Sequence, residues 1–183
     1  MNTLEEYIQL CAAKMGRNED VTADLAQALS KFPYAAALYF MRGSEAAELQ
    51  NFTDAMHDFA TALVLEPEFH LARLQYILCC FKTEQFALVP VLLQPLLLAG
   101  GTYTMIGELL TTLFSEPVTA FDQKLVELQT QPDMLPAVWE NLYSLRQYLP
   151  SDDAETTAQT EASPTATSGE ISSILLEIYQ QKH

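Results

Sequence analysis

The sequence predicts an all-α fold built as an array of antiparallel helix pairs, and the first observation behind this is a repeat. Pro33 and Pro67 are separated by about 34 residues, a period typical of repeats made of two helices. The same step recurs at apolar positions: Leu25 to Phe59 to Leu93, Ala28 to Ala62 to Leu96, Leu29 to Leu63 to Leu97, and Phe52 to Phe86. The second observation is that apolar residues within each unit recur at spacings of three and four, as on one face of a helix.

The third observation is the overall composition. A chain of 183 residues with 49% hydrophobic residues is long enough for one globular domain with a substantial core. Nine basic residues against 24 acidic ones give a net charge of -15, which repels phosphate backbones and anionic lipid surfaces. We therefore expect neither nucleic acid nor a membrane as partner. The first ten residues, MNTLEEYIQL, are acidic where a secretory signal is basic, so we expect a cytoplasmic protein.

The helices can be placed in order along the chain. Thr3 and Glu6 form a capping-box pattern that starts the first helix, which ends near Met15, and Asp20 caps a second helix that ends near Lys31. The next four helices are expected over residues 35–49, 53–65, 68–82 and 85–98. In the last of these, Pro90 kinks the first turns and Pro95 shortens the end. After Gly100 and Gly101, three more helices are expected near 103–114, 118–130 and 134–148.

The central unit, 36–69, combines small and aromatic residues at fixed places: Tyr39, Gly43, Ala46, Phe52, Ala55, Phe59, Ala62, Leu63 and Pro67. Small residues let two antiparallel helices approach closely, and aromatic residues fill the space between successive pairs. This pattern resembles the tetratricopeptide repeat family. The resemblance implies repeats over about 2–35, 36–69 and 70–103. The flanking repeats depart from this pattern at the positions of the aromatic residue and the glycine. The first repeat has Glu5 and Gln9 there, and the third has Arg73 and Ile77.

The remainder of a domain spanning 1–150 is expected to be a degenerate repeat and cap over 104–149, because the register of the repeat slips after Gly101. Trp139 fits a capping helix that packs one face on the preceding pair, and the alternative is a binding hot spot. Cys11, Cys79 and Cys80 fall in helical patterns and are interpreted as small core residues in a reducing compartment. A metal or redox site would need companion ligands that the sequence does not supply.

The end of the chain changes in composition. Residues 151–169 contain no large apolar and no basic side chain, which predicts a disordered acidic linker. Residues 170–183 then predict an amphipathic helix whose apolar face holds Ile171, Ile174, Leu175 and Ile178. Such a tethered helix could close over its own domain, pair with a second copy as a homodimer, or engage another protein. The plain alternative is an ordinary last helix of the core.

Function is expected to be protein binding. The resemblance implies a concave groove lined by the first helix of each pair, and the residues that we expect to contact a partner are Phe40, Ser44, Ala47, Leu71, Leu74, Leu78 and Phe81. Such a groove suits an apolar or amphipathic segment of another protein. The leucines could equally be core residues covered by neighbouring helices. The family's carboxylate clamp is not expected, because Glu6 and Leu10 occupy its places.

No catalytic constellation is found, since His57, His70 and His183 are isolated and no nucleophile, phosphate-loop or dinucleotide motif occurs. We therefore expect a non-enzymatic adaptor or chaperone without a cofactor or metal. One alternative is similarity to small export chaperones of the bacterial type III secretion kind, which share its size, charge and repeat number. Another is a self-associating or autoinhibited scaffold that uses the C-terminal helix.

Overall fold

The structure is a computed structural model, and it describes residues 3–115 and 118–148. These residues form helices joined by turns, with no strand among them, which confirms the all-α prediction. The predicted linker 151–169 and the predicted helix 170–183 lie outside the described residues, as do the four apolar positions assigned to that helix, Ile171, Ile174, Leu175 and Ile178.

Nine α-helices follow one another along the described chain: α1 Leu4–Met15, α2 Thr22–Lys31, α3 Ala36–Glu48, α4 Phe52–Leu65, α5 His70–Lys82, α6 Val89–Leu98, α7 Gly101–Ser115, α8 Val118–Gln129 and α9 Pro136–Ser144. Short 3-10 turns, Phe86–Leu88 and Leu145–Tyr148, precede α6 and follow α9. Every helix predicted within the described residues is present, and its bounds agree with the prediction to within a few residues. The region around Pro90 differs in detail, because the first turn there is a 3-10 turn and the α-helix proper begins only at Val89.

The first helix begins with the predicted capping box, whereas the predicted cap of the second helix, Asp20, lies one residue too early: the capping position is Val21, which makes no side-chain capping hydrogen bond. The Glu6 backbone N–H donates to the Thr3 hydroxyl at 3.2 Å, and the Thr3 N–H donates back to the Glu6 carboxylate at 3.3 Å. Asp20 accepts from the Thr22 N–H at 2.9 Å, one residue before the position that usually caps a helix. This hydrogen bond holds the pKa of Asp20 below its usual value.

The same backbone turn joins the two helices in each of the first three pairs. Its central residues, Asn18, Gln50 and Glu84, all have positive φ, at 54°, 60° and 58°. In each turn the next N–H donates back to a carbonyl near the end of the preceding helix: Glu19 to Lys14 at 3.0 Å, Asn51 to Ala46 at 2.8 Å, and Gln85 to Cys80 at 2.9 Å. This is the Schellman motif, which satisfies the free carbonyls at a helix end. Three helix pairs therefore share one turn.

The connection between successive pairs is repeated as well. The Phe32 N–H donates to Ala28 at 2.8 Å, and one repeat later the Glu66 N–H donates to Ala62 at 2.8 Å. The two closing prolines also receive equivalent hydrogen bonds. The hydroxyl of Tyr39 donates to the Pro33 carbonyl at 3.1 Å, and the guanidinium of Arg73 donates to the Pro67 carbonyl. Arg73, a departure from the repeat in sequence, thus supplies the same contact as Tyr39.

The described chain divides into two compact units between Leu92 and Leu93. In the first unit, α3 and α4 pack together over a longer stretch than any other pair of helices. Gly43 makes this approach possible, because a Cβ there would lie 2.8 Å from the Phe59 ring and 3.2 Å from the Ala55 carbonyl. The predicted close-packing role of Gly43 is therefore confirmed.

The second unit is organised around α7 and α8. An ion pair joins Lys124 to Glu108 at 3.3 Å, and Arg146 bonds Asp122 at 2.7 Å. The indole N–H of Trp139 donates to the Leu125 carbonyl at 3.3 Å, and its ring stacks on Tyr143 with centroids 5.2 Å apart. Trp139 therefore packs α9 on α8, as the capping interpretation predicts.

Candidate protein-binding layer of first helices

The first helices of the three pairs lie side by side, because α3 contacts both α1 and α5. We call these three helices the first-helix layer. It is the part of the first unit that would contact a partner if the resemblance to the repeat family holds. Its chemistry changes from one helix to the next: Glu6 and Ala13 are exposed on α1, whereas most residues of α5 are buried.

The structure buries most of the residues predicted to line a groove. The side chains in the interior are Phe40, Ser44, Leu71, Leu74, Leu78 and Phe81, while Ala47 is half-buried. In this conformation these six side chains do not present an open surface, and contact with a partner stays a prediction. Leu74 and Leu78, for which a groove and a core position were equally expected, are both buried in this structure.

The burial of the two aromatic residues has a visible cause. The ring of Phe40 lies 5.7 Å from that of Phe59 and 4.9 Å from that of Phe69, so it is held between α4 and the turn that precedes α5. Phe81 packs edge-on against Phe86 with centroids 5.6 Å apart. We expected Phe40 and Phe81 to face the groove, but both rings find aromatic partners inside the first unit.

Helix α5 is enclosed on nearly every side, since ten of its thirteen residues are buried. The sequence held a signal for this. Apolar residues occur all around α5, with no continuous polar face, and a helix that is hydrophobic all round is normally a buried one. Arg73 is enclosed with them, and burial lowers the pKa of its guanidinium. Its Nε has no hydrogen-bond partner among the described residues.

The accessible part of the layer lies on α1 and α3. Ala13 and Glu48 are exposed, and Leu10, Ala37 and Ala47 are half-buried. Acidic side chains lie close to this part. Burial, with smaller contributions from the charges of Glu48 and Asp20, raises the pKa of Glu45. A ligand for this part of the layer would meet small apolar residues bordered by negative charge.

The cysteines and histidines do not assemble into a reactive group in the described part of the chain. Cys11, Cys79 and Cys80 are buried free thiols, and burial raises their pKa to about 11, 12 and 11. Such thiols are protonated at neutral pH and react slowly. Within residues 3–115 and 118–148, no group of three or more His, Cys, Asp or Glu side chains is arranged to hold a metal ion.

Comparison with known proteins adds no relative. No family model matches the chain, and neither a curated protein nor a solved structure matches it. The resemblance to tetratricopeptide repeats therefore rests on the residues of the repeat itself. The class that the fold defines is an all-α, repeat-like array of helix pairs. None of the described helices has both the length and the apolar character needed to cross a membrane.

Sequence reasoning missed one surface. Residues 87–98 were assigned to a helix and carried no functional prediction. In the structure, four large apolar side chains from Leu88 to Leu98 are exposed. The signal was available, because no charged residue occurs between Glu84 and Glu108.

Proposed function

We propose that the protein is a non-enzymatic protein–protein interaction module, an adaptor or chaperone of the tetratricopeptide type, which holds an apolar helical segment of a partner on the first-helix layer. The observation that carries the proposal is the threefold repetition of one turn, at Asn18, Gln50 and Glu84. Repeated helix pairs place equivalent faces side by side and so build one extended surface, which is how repeat proteins bind extended segments.

The chemistry of the layer favours a partner segment that is both apolar and basic. Small side chains such as Ala13, Ala37 and Ala47 leave room for the larger apolar side chains of a docked helix. The raised pKa of Glu45 reflects burial near other carboxylates, and a cationic side chain placed there would lower it again. The net charge of -15 also speeds the approach of a cationic segment.

The proposal is tested with two substitutions on α1, Leu10→Glu and Ala13→Glu, each of which adds a charge at an accessible position. The matched control is Val64→Glu, because Val64 is exposed on α4, a second helix. Full-length protein carrying a cross-linker is used to capture partners from its native cell, and the cross-linked positions are identified by mass spectrometry.

We expect partner capture to fall about tenfold or more for the α1 variants, since a buried unpaired charge at an interface costs well over about 1.4 kcal/mol. Capture by the Val64→Glu control should match the wild type. Circular dichroism and thermal melting of all three variants should stay near wild type. Equal capture by all of them, or cross-links confined to α4 and α8, would contradict binding on the first-helix layer.

A second candidate is an autoinhibited scaffold, and the enclosure of α5 favours it. Leu71, Leu74 and Leu78 are buried although the repeat pattern predicts an open face on this helix. On this proposal the chain's own segment 170–183, with its apolar positions at helical spacing, competes with the partner for the layer. A fluorescent peptide of residues 170–183 should then bind a chain ending at Pro150 and should not bind the full chain. Binding to neither would remove this candidate and leave the adaptor proposal standing.

A further inference from the structure

We draw no further inference here: the strongest candidate, the Arg73 side chain enclosed at the start of α5 with its Nε unpartnered among the described residues, already donates to the Pro67 carbonyl, and nothing in the structure shows what ligand could reach the buried Nε.

Discussion

The second helix pair, α3 with α4, and the third, α5 with α6, share their backbone turns and differ in the side chains that accompany them. Gln50 and Glu84 have nearly the same φ, at 60° and 58°, and the Schellman bonds beside them have nearly the same length, at 2.8 and 2.9 Å. A helix end must satisfy its free carbonyls whatever the side chains are, so the turn is repeated.

The side chains at equivalent positions are exchanged for others of different size and charge. In the second pair, Arg42 holds the buried carboxylate of Asp58 through two hydrogen bonds of 2.6 and 2.8 Å. The equivalent positions of the next repeat hold Tyr76 and Leu92, neither of which is an acid or a base that is charged at neutral pH. The side chains at equivalent positions can therefore differ between repeats, whereas the backbone turn stays the same.

The largest effect is expected from breaking the ion pair of the second pair. Arg42→Met leaves the Asp58 side chain, 5% exposed, without its cationic partner, which should lower the free energy of unfolding by about 1–3 kcal/mol; the full loss for a buried pair is reduced because Arg42 is partly solvated. Urea denaturation measures the change. The double variant Arg42→Tyr with Asp58→Leu reproduces the third pair and should recover most of the loss. A single variant as stable as wild type would mean that water replaces Arg42 at the carboxylate.

The next effect concerns the space between α3 and α4. Gly43→Ala places a Cβ 2.8 Å from the Phe59 ring, and the overlap should exceed the gain in helix propensity, for a net loss of about 1–2 kcal/mol. The third pair has Ile77 and Leu93 at the equivalent positions. The double variant Gly43→Ala with Phe59→Leu should therefore lose less free energy of unfolding than the sum of the losses in the two single variants. Additive losses in the double-mutant cycle would show that Gly43 and Phe59 do not compete for the same space.

A smaller effect is expected at the closing prolines, where one substitution should raise the free energy of unfolding instead of lowering it. Arg73→Tyr keeps a donor for the Pro67 carbonyl, as Tyr39 does for Pro33, and removes a buried guanidinium whose Nε lacks a partner among the described residues. The variant should gain about 1 kcal/mol of stability. Tyr39→Phe, which removes only the donor in the second pair, is the companion and should lose about 1 kcal/mol. Destabilisation by Arg73→Tyr would imply a further contact made by the guanidinium.

The smallest effect concerns the shared turn. Glu84 adopts a left-handed conformation that costs a non-glycine residue free energy, so Glu84→Gly should raise the free energy of unfolding by about 0.5–1 kcal/mol. The control is Gln94→Gly at an exposed site within α6, which should lose about 1 kcal/mol. Thermal melting distinguishes the two signs. Equal destabilisation by both glycines would show that the Glu84 side chain contributes to the turn.

Much of the fold could be predicted because it depends on local interactions. Helix bounds, the capping box at Thr3 and the close approach at Gly43 follow from residues within one or two turns, or from one repeat period. The candidate site was predicted less well. Phe40 and Leu74, expected near a partner, are buried, and Val91 and Leu98, which drew no functional prediction, are exposed.

The sequence by itself therefore determined the helices and the turns that end them, since hydrogen bonds at helix ends and apolar periodicity act within a single helix or turn. Only the tertiary structure decided which apolar faces are covered. A leucine at helical spacing belongs to the same local sequence pattern whether another helix covers it or it is exposed to solvent. Leu74 on α5 is buried because other parts of the chain pack against it. Leu98 on α6 is exposed because they do not.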